Sequence, residues 1–168
     1  MRLGDGETLL PGFIDSHQHR IGDRDIAGYT QPKPAINAAI EQGWTSINEM
    51  FVTKRRLQEM QVLDTTRELR VRVNAYLALA SPEGESYGDW YLDYEPRHEY
   101  SPYLRLGGVK ITLDHGWGLG QPLFTQDVLD AMVGEAHDAG WQIATHTVGS
   151  PAHTAPWSSP IARSSDWR

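Results

Sequence analysis

His17 and His19 stand two residues apart at the end of the run Leu10-Pro11-Gly12-Phe13-Ile14-Asp15-Ser16-His17-Gln18-His19. The apolar residues before them read as a buried strand. A strand turns successive side chains to opposite faces, so the two imidazoles are expected on one face. Two imidazoles at a strand end suit a divalent cation. Polar residues at a strand edge would explain the pair as well, and the short motif alone does not choose between them. Asp15 falls on the same period of two and reads either as a partner behind the histidines or as a packing residue.

Two further residues belong with this pair. Lys110 lies inside Gly107-Gly108-Val109-Lys110-Ile111-Thr112-Leu113-Asp114, and its apolar neighbours predict burial. Its alternative is a surface lysine at a strand edge. His146 ends Trp141-Gln142-Ile143-Ala144-Thr145-His146, and its alternative is a satisfied core histidine. Asp114 and the glycine-rich stretch 115–120 read as a loop above the site. His98, His115, His137 and His153 read as ordinary surface or loop histidines.

The elements that would position these residues alternate in type. Strands are predicted over 12–16, 45–50, 71–80, 108–113 and 141–145. Helices are predicted over 32–42, 53–69 and 124–139. Pro32 opens the first helix, where Ile36, Ala39 and Ile40 share a face, and Gly43 closes it. The last helix carries Phe124, Val128, Met132, Val133 and Ala136 as its apolar stripe, Thr125 as N-cap and Gly140 as its end. Residues 81–105 form an aromatic insertion, read either as a lid or part of the substrate pocket, or as a loop packed on the rim.

Strand, helix, strand in repetition means parallel strands with right-handed crossovers. No Gly-x-Gly-x-x-Gly turn follows the first strand, which disfavours a dinucleotide-binding sheet. A (β/α)8 barrel needs eight strands and about 250 residues. Five are visible here, so the fold class is α/β, either an open sheet or a partial TIM barrel. In a barrel the strands' C-terminal ends form the active site. His17, His19 and His146 would meet there, with Lys110 slightly deeper.

Bulk properties narrow the function. A chain of 168 residues holds one core and not two ordinary domains. Its formal net charge of -7 opposes an electrostatic footprint for nucleic acid or anionic lipid. There is no cysteine, which excludes disulfides, thiolate metal sites and cysteine nucleophiles. No apolar run reaches the length of a membrane span, and the N-terminus lacks the apolar segment of a secretory signal. A soluble, cytoplasmic protein is expected; the mild acidity identifies no partner.

Several motifs carry a resemblance. The run from Leu10 to Arg20 resembles the opening strand of the metal-dependent amidohydrolase superfamily. Gly43-Trp44-Thr45 resembles that family's step into its second strand. Val109-Lys110-Ile111 and Thr145-His146-Thr147-Val148-Gly149 resemble its fourth and fifth. The likeness is nearest to the branch that includes N-substituted formamide deformylases, and it runs from about residue 9 to residue 149. The resemblance implies that His17 and His19 hold the more buried metal and that His146 holds a second. It implies that Lys110 is carbamylated and bridges them, since an ammonium cannot ligate a cation. Zinc suits such ligands best, as one or two ions. The implied activity is hydrolysis of non-peptide carbon–nitrogen bonds, with a small-molecule amide-type substrate in the full-length parent.

The chain departs from that family at both ends. Only about ten residues precede the first strand, where the family begins a small β-sandwich. The family's later histidine ligand and catalytic aspartate come from strands six and eight, and no such strands follow here. Residues 1–149 thus read as a partial barrel, and 150–168 as an irregular tail with three prolines. A truncation, a frame shift or a fragment would each give this pattern. Five strands leave two unpaired edges and an open inner face, so self-association through those edges is expected. The chain by itself is expected to be inactive. The competing readings are a non-catalytic remnant or interaction module, and an open sheet binding a small ligand at its C-terminal edge.

Overall fold

The computed structural model describes residues 3–22, 31–114 and 122–148. Five strands run β1 (Phe13–Gln18), β2 (Trp44–Val52), β3 (Arg72–Ala78), β4 (Leu104–Thr112) and β5 (Ile143–His146). They lie side by side in sequence order, every neighbouring pair parallel. The sheet curls into half a barrel with helices between the strands. The open-sheet alternative is thereby set aside. Gly149, the tail 150–168, His115 and His153 lie outside the described residues, as does the loop 115–120.

The helices are α1 (Pro32–Glu41), α2 (Lys54–Thr65) and α3 (Gln126–Asp138). Pro32 and Pro34 occupy the first turn of α1, where a missing amide costs no hydrogen bond. Gly43 leaves α1 at φ 83°, a conformation that favours glycine, and turns directly into β2. Thr53 caps α2 by accepting from the Arg56 amide at 3.4 Å, so this residue precedes the helix that the sequence reading starts with it. Thr125 occupies the cap position of α3, but its side chain makes no capping bond. In α3 the buried residues are Leu129 and Ala136, while Val128 is 47% exposed. The predicted stripe is therefore rotated toward Leu129.

The main core lies between the sheet's outer face and the helices. Ile47, Val73, Ala75, Leu77, Val109 and Ile111 meet Ile36, Leu57, Met60 and Leu129 there. Polar side chains link β2, β3 and β4. Asn74 donates to Asn48 at 2.9 Å, and Arg105 donates to Asn74 at 3.1 Å.

Four register shifts interrupt the ladder, two where β1 meets β2 and one each where β2 meets β3 and β3 meets β4, and an extra residue in a strand changes which face the following side chains occupy. In β4, Asn74 pairs with Arg105 and Ala75 with Leu106, but Tyr76 then pairs with Gly108. The extra residue flips the alternation, so Lys110 follows Gly108 onto the inner face. The fourth strand thus begins at Leu104, four residues before its predicted start, and the glycine pair is a bulge inside it. Glycine is required because the chains close tightly: a Cβ at Gly108 would lie 2.3 Å from the Gln142 carbonyl oxygen. Gly108→Ala is expected to cost about 1–3 kcal/mol through this collision. Urea titration should show a lower midpoint with an unchanged slope.

The aromatic insertion packs onto the rim. Its 3-10 turn (Trp90–Asp93) buries Trp90 and Tyr91. Trp90 Nε1 donates to the Ala78 carbonyl at 3.2 Å, and the Tyr91 hydroxyl donates to Glu135 at 2.9 Å. Tyr91 also meets Trp141 edge to face. Of its two readings, the rim-packing one describes this geometry. Among the described residues no helix is long and apolar enough to cross a membrane.

Candidate metal centre

The site opens at the C-terminal ends of the strands. A bulge lies between Asp15 and Gln18 in β1. Asp15 pairs with Ile47 and Gln18 with Glu49, so the period of two does not carry across this segment. Asp15 accepts from the His17 backbone amide at 3.0 Å instead of simply sharing a face with the two imidazoles.

His17 Nε2 and His19 Nε2 approach to 3.2 Å, with the rings edge to face. Two imidazole nitrogens bound to one tetrahedral zinc at about 2.0–2.1 Å stand roughly 3.3–3.4 Å apart. The separation of the pair therefore suits a shared ion. The His17 pKa is lowered, first by burial and then by the positive charges of Lys110 and His146, against a smaller opposing effect of Asp15. Residues from β1, β4 and β5 thus converge within electrostatic reach of each other.

Lys110 is 1% exposed. Its carbonyl accepts from the Leu79 amide at 3.0 Å, while its side chain makes no hydrogen bond or ion pair to a described residue. Burial alone pushes its amine down to about 8. His146 ends β5 opposite Thr112 on β4. Its Nε2 lies 3.9 Å from Oδ1 of Asp114, which is buried and accepts from the Val148 amide at 2.7 Å. Asp114 thus ties down the segment after His146. His98 and His137 are exposed and away from this group, as the sequence suggests. Among the described residues no three His, Cys, Asp or Glu side chains already form a metal cluster. Lys110 is the buried cationic group within electrostatic reach of His17.

Sequence reasoning missed Glu49. It is fully buried at the end of β2, and its Oε2 accepts from the Ile21 amide at 2.7 Å. The amides of Gly22 and Phe51 also face the carboxyl group, and with Arg56 they favour its anion. Burial outweighs them and pushes its pKa up to about 8. The signal was present: one acidic residue inside the apolar run Ile47 to Val52.

The fold is a half-barrel whose strand ends bring the His17 and His19 rings together. No protein-family model matches the chain, and no curated protein does. Two solved structures share its fold. One is an uncharacterized metal-dependent hydrolase from Pyrococcus horikoshii OT3, 21% identical with a TM-score of 0.58, over 74% of this chain and 28% of that one. The other is an uncharacterized metal-dependent hydrolase from Pyrococcus furiosus, 21% identical with a TM-score of 0.56, over 72% of this chain and 28% of that one. At this identity the likeness establishes the fold. The chain matches little more than a quarter of each structure's length.

Proposed function

We propose that the chain is the metal-binding half-barrel of a metal-dependent hydrolase acting on non-peptide carbon–nitrogen bonds, close to the N-substituted formamide deformylase branch of the amidohydrolases. The 3.2 Å approach of the His17 and His19 Nε2 atoms carries this reading. His17 and His19 would hold one ion, His146 a second, and Lys110 would bridge them. Lys110 becomes a ligand once its neutral amine bonds to the carbon of CO2 and releases a proton, which leaves a carbamate with anionic oxygens. Its burial favours the neutral amine that this step needs. When bound, the metal lowers the pKa of its water to about 7 and so supplies hydroxide. The fold likeness to two metal-dependent hydrolases supports the same class.

Elemental analysis of the folded chain after gel filtration tests the site. One or two zinc ions per chain are expected, with the ion held by the pair lost in His17→Ala/His19→Ala. A folded chain that retains no added zinc overturns the reading. This polypeptide alone is expected to turn over no amide. His17 is exposed and Ile14 beside the open inner face is 73% exposed, so water screens charge developing there. Zinc-dependent amide turnover by the isolated chain would contradict that expectation.

A second reading, a non-catalytic interaction module, is favoured by the β1 edge. Phe13 and Ile14 are 63% and 73% exposed, and among the described strands β1 pairs only with β2. Under this reading the chain self-associates through its edges, and sedimentation should show a dimer or larger species that Ile14→Lys disperses. A monomer at all concentrations tested would remove it.

A further inference from the structure

The turn that follows His19 lies directly on the end of β2. Ile21 and Gly22 are both buried. A Cβ at Gly22 would lie 2.1 Å from the Phe51 carbonyl oxygen and 2.9 Å from Glu49 Oε1. The register of β2 against β3 shifts between Glu49 and Val52, a bulge at the point where the turn docks. Glu49 is fully buried beneath it, and its Oε2 accepts from the Ile21 amide at 2.7 Å. A buried carboxyl group in an apolar strand is costly to retain without a use for its oxygens. Here Oε2 is spent on the Ile21 amide, two residues after His19, while the buried Oε1 has no hydrogen-bond partner among the described residues.

We propose that Glu49 is a positioning residue: it clamps the Ile21–Gly22 turn onto β2 and thereby holds the His19 imidazole at the separation from His17 that a shared metal ion requires. The inference rests on the metal-site reading above. Glu49 itself touches no metal. It acts through a short span of backbone, because His19 is the last residue before the turn whose side chain enters the site. The glycine at position 22 is part of the same device, since any side chain there would lift the turn away from the bulge.

Two measurements on Glu49→Ala, Glu49→Gln and Gly22→Ala test this. Amide hydrogen exchange in the metal-free chain reads the clamp. Protection at Ile21 and Gly22 should fall at least tenfold in Glu49→Ala, while the α3 amides keep theirs. Zinc titration at a temperature where circular dichroism shows each variant folded reads the consequence. Zinc affinity should drop about 10–100-fold in Glu49→Ala, the range of outer-shell partners of metal ligands. Gly22→Ala should fall in the same range. Glu49→Gln, which retains an acceptor oxygen of the same reach, should recover most of the affinity. A residue that only supports the fold would lower stability in all three variants without ordering their zinc affinities this way. Unchanged protection in Glu49→Ala, or lost protection with unchanged zinc affinity, overturns the proposal. If the wild-type chain itself retains no zinc, the metal-site reading fails and this inference fails with it. In that case the exchange data still report whether the clamp exists.

Discussion

Lys110→Met is expected to stabilise the metal-free chain. The ammonium of Lys110 is almost fully enclosed, and no described residue bonds it. Burial removes much of the water that solvates this charge in the unfolded chain, and no described side chain compensates it. Methionine fills a similar volume without a charge, and its flexible thioether suits an irregular site. Replacing a buried charge by a well-packed apolar side chain gains about 1–3 kcal/mol in comparable settings. For a chain of this size each kcal/mol moves the melting temperature by about 2–4 °C. A rise of several degrees should appear in thermal melts with chelator in CO2-free buffer. The same substitution should remove the bridging ligand, so zinc stoichiometry should fall while stability rises. Opposite signs in the two measurements would mark Lys110 as a residue kept for its chemistry at a cost to the fold. A lower melting temperature would mean that the amine is satisfied in solution.

The second large effect is a loss of stability with rising pH. Glu49 has its pKa raised from 4.5 to about 8, chiefly by burial. Between those values the folded chain holds a proton that the unfolded chain has released. The unfolded state then binds fewer protons, so stability falls as pH rises and levels off above about 8. The shift corresponds to a loss on the order of a few kcal/mol across the window. Arg56 is the charged group that faces Glu49, and it moderates the shift without cancelling it. His17 contributes the opposite slope at the acidic end. Its lowered pKa means that stability rises until about pH 6.5 and is flat beyond. Urea midpoints from pH 6.5 to 7.5 should decline in the wild type and stay level in Glu49→Gln, while above about pH 8 the lowered pKa of Lys110 adds a rising slope to both proteins. Parallel profiles for the two proteins would show that the carboxyl group does not hold its proton.

Much of the architecture was legible because it depends on local chemistry. Pro32 and Gly43 bracket α1 for reasons internal to one helix: a fixed φ at its start and a positive φ at its end. Gly140 does the same for α3 at φ 82°. The alternation of apolar runs with helical periods was enough for five parallel strands. The four candidate ligands were legible as residue types at strand ends, and the structure brings His17 and His19 together with Lys110 and His146 in electrostatic reach.

What remained hidden depends on contacts between strands. The Gly107–Gly108 bulge, the β1 bulge after Asp15 and the β2 bulge after Glu49 are register shifts against a neighbour. A single strand's sequence shows its period but not the residue at which a partner skips one. For that reason the period of two cannot be carried from Asp15 through Gln18, and the apolar run alone starts β4 at residue 108 instead of Leu104. The aromatic insertion was similarly undecided until Trp90 and Tyr91 found Ala78, Glu135 and Trp141. The sequence by itself determined the order of elements, their caps and the kinds of ligand available, because each follows from neighbours within a few residues. Only the tertiary structure decided which faces those ligands share and what holds them there, because a bulge and a buried carboxyl group take their meaning from chain that is distant in sequence.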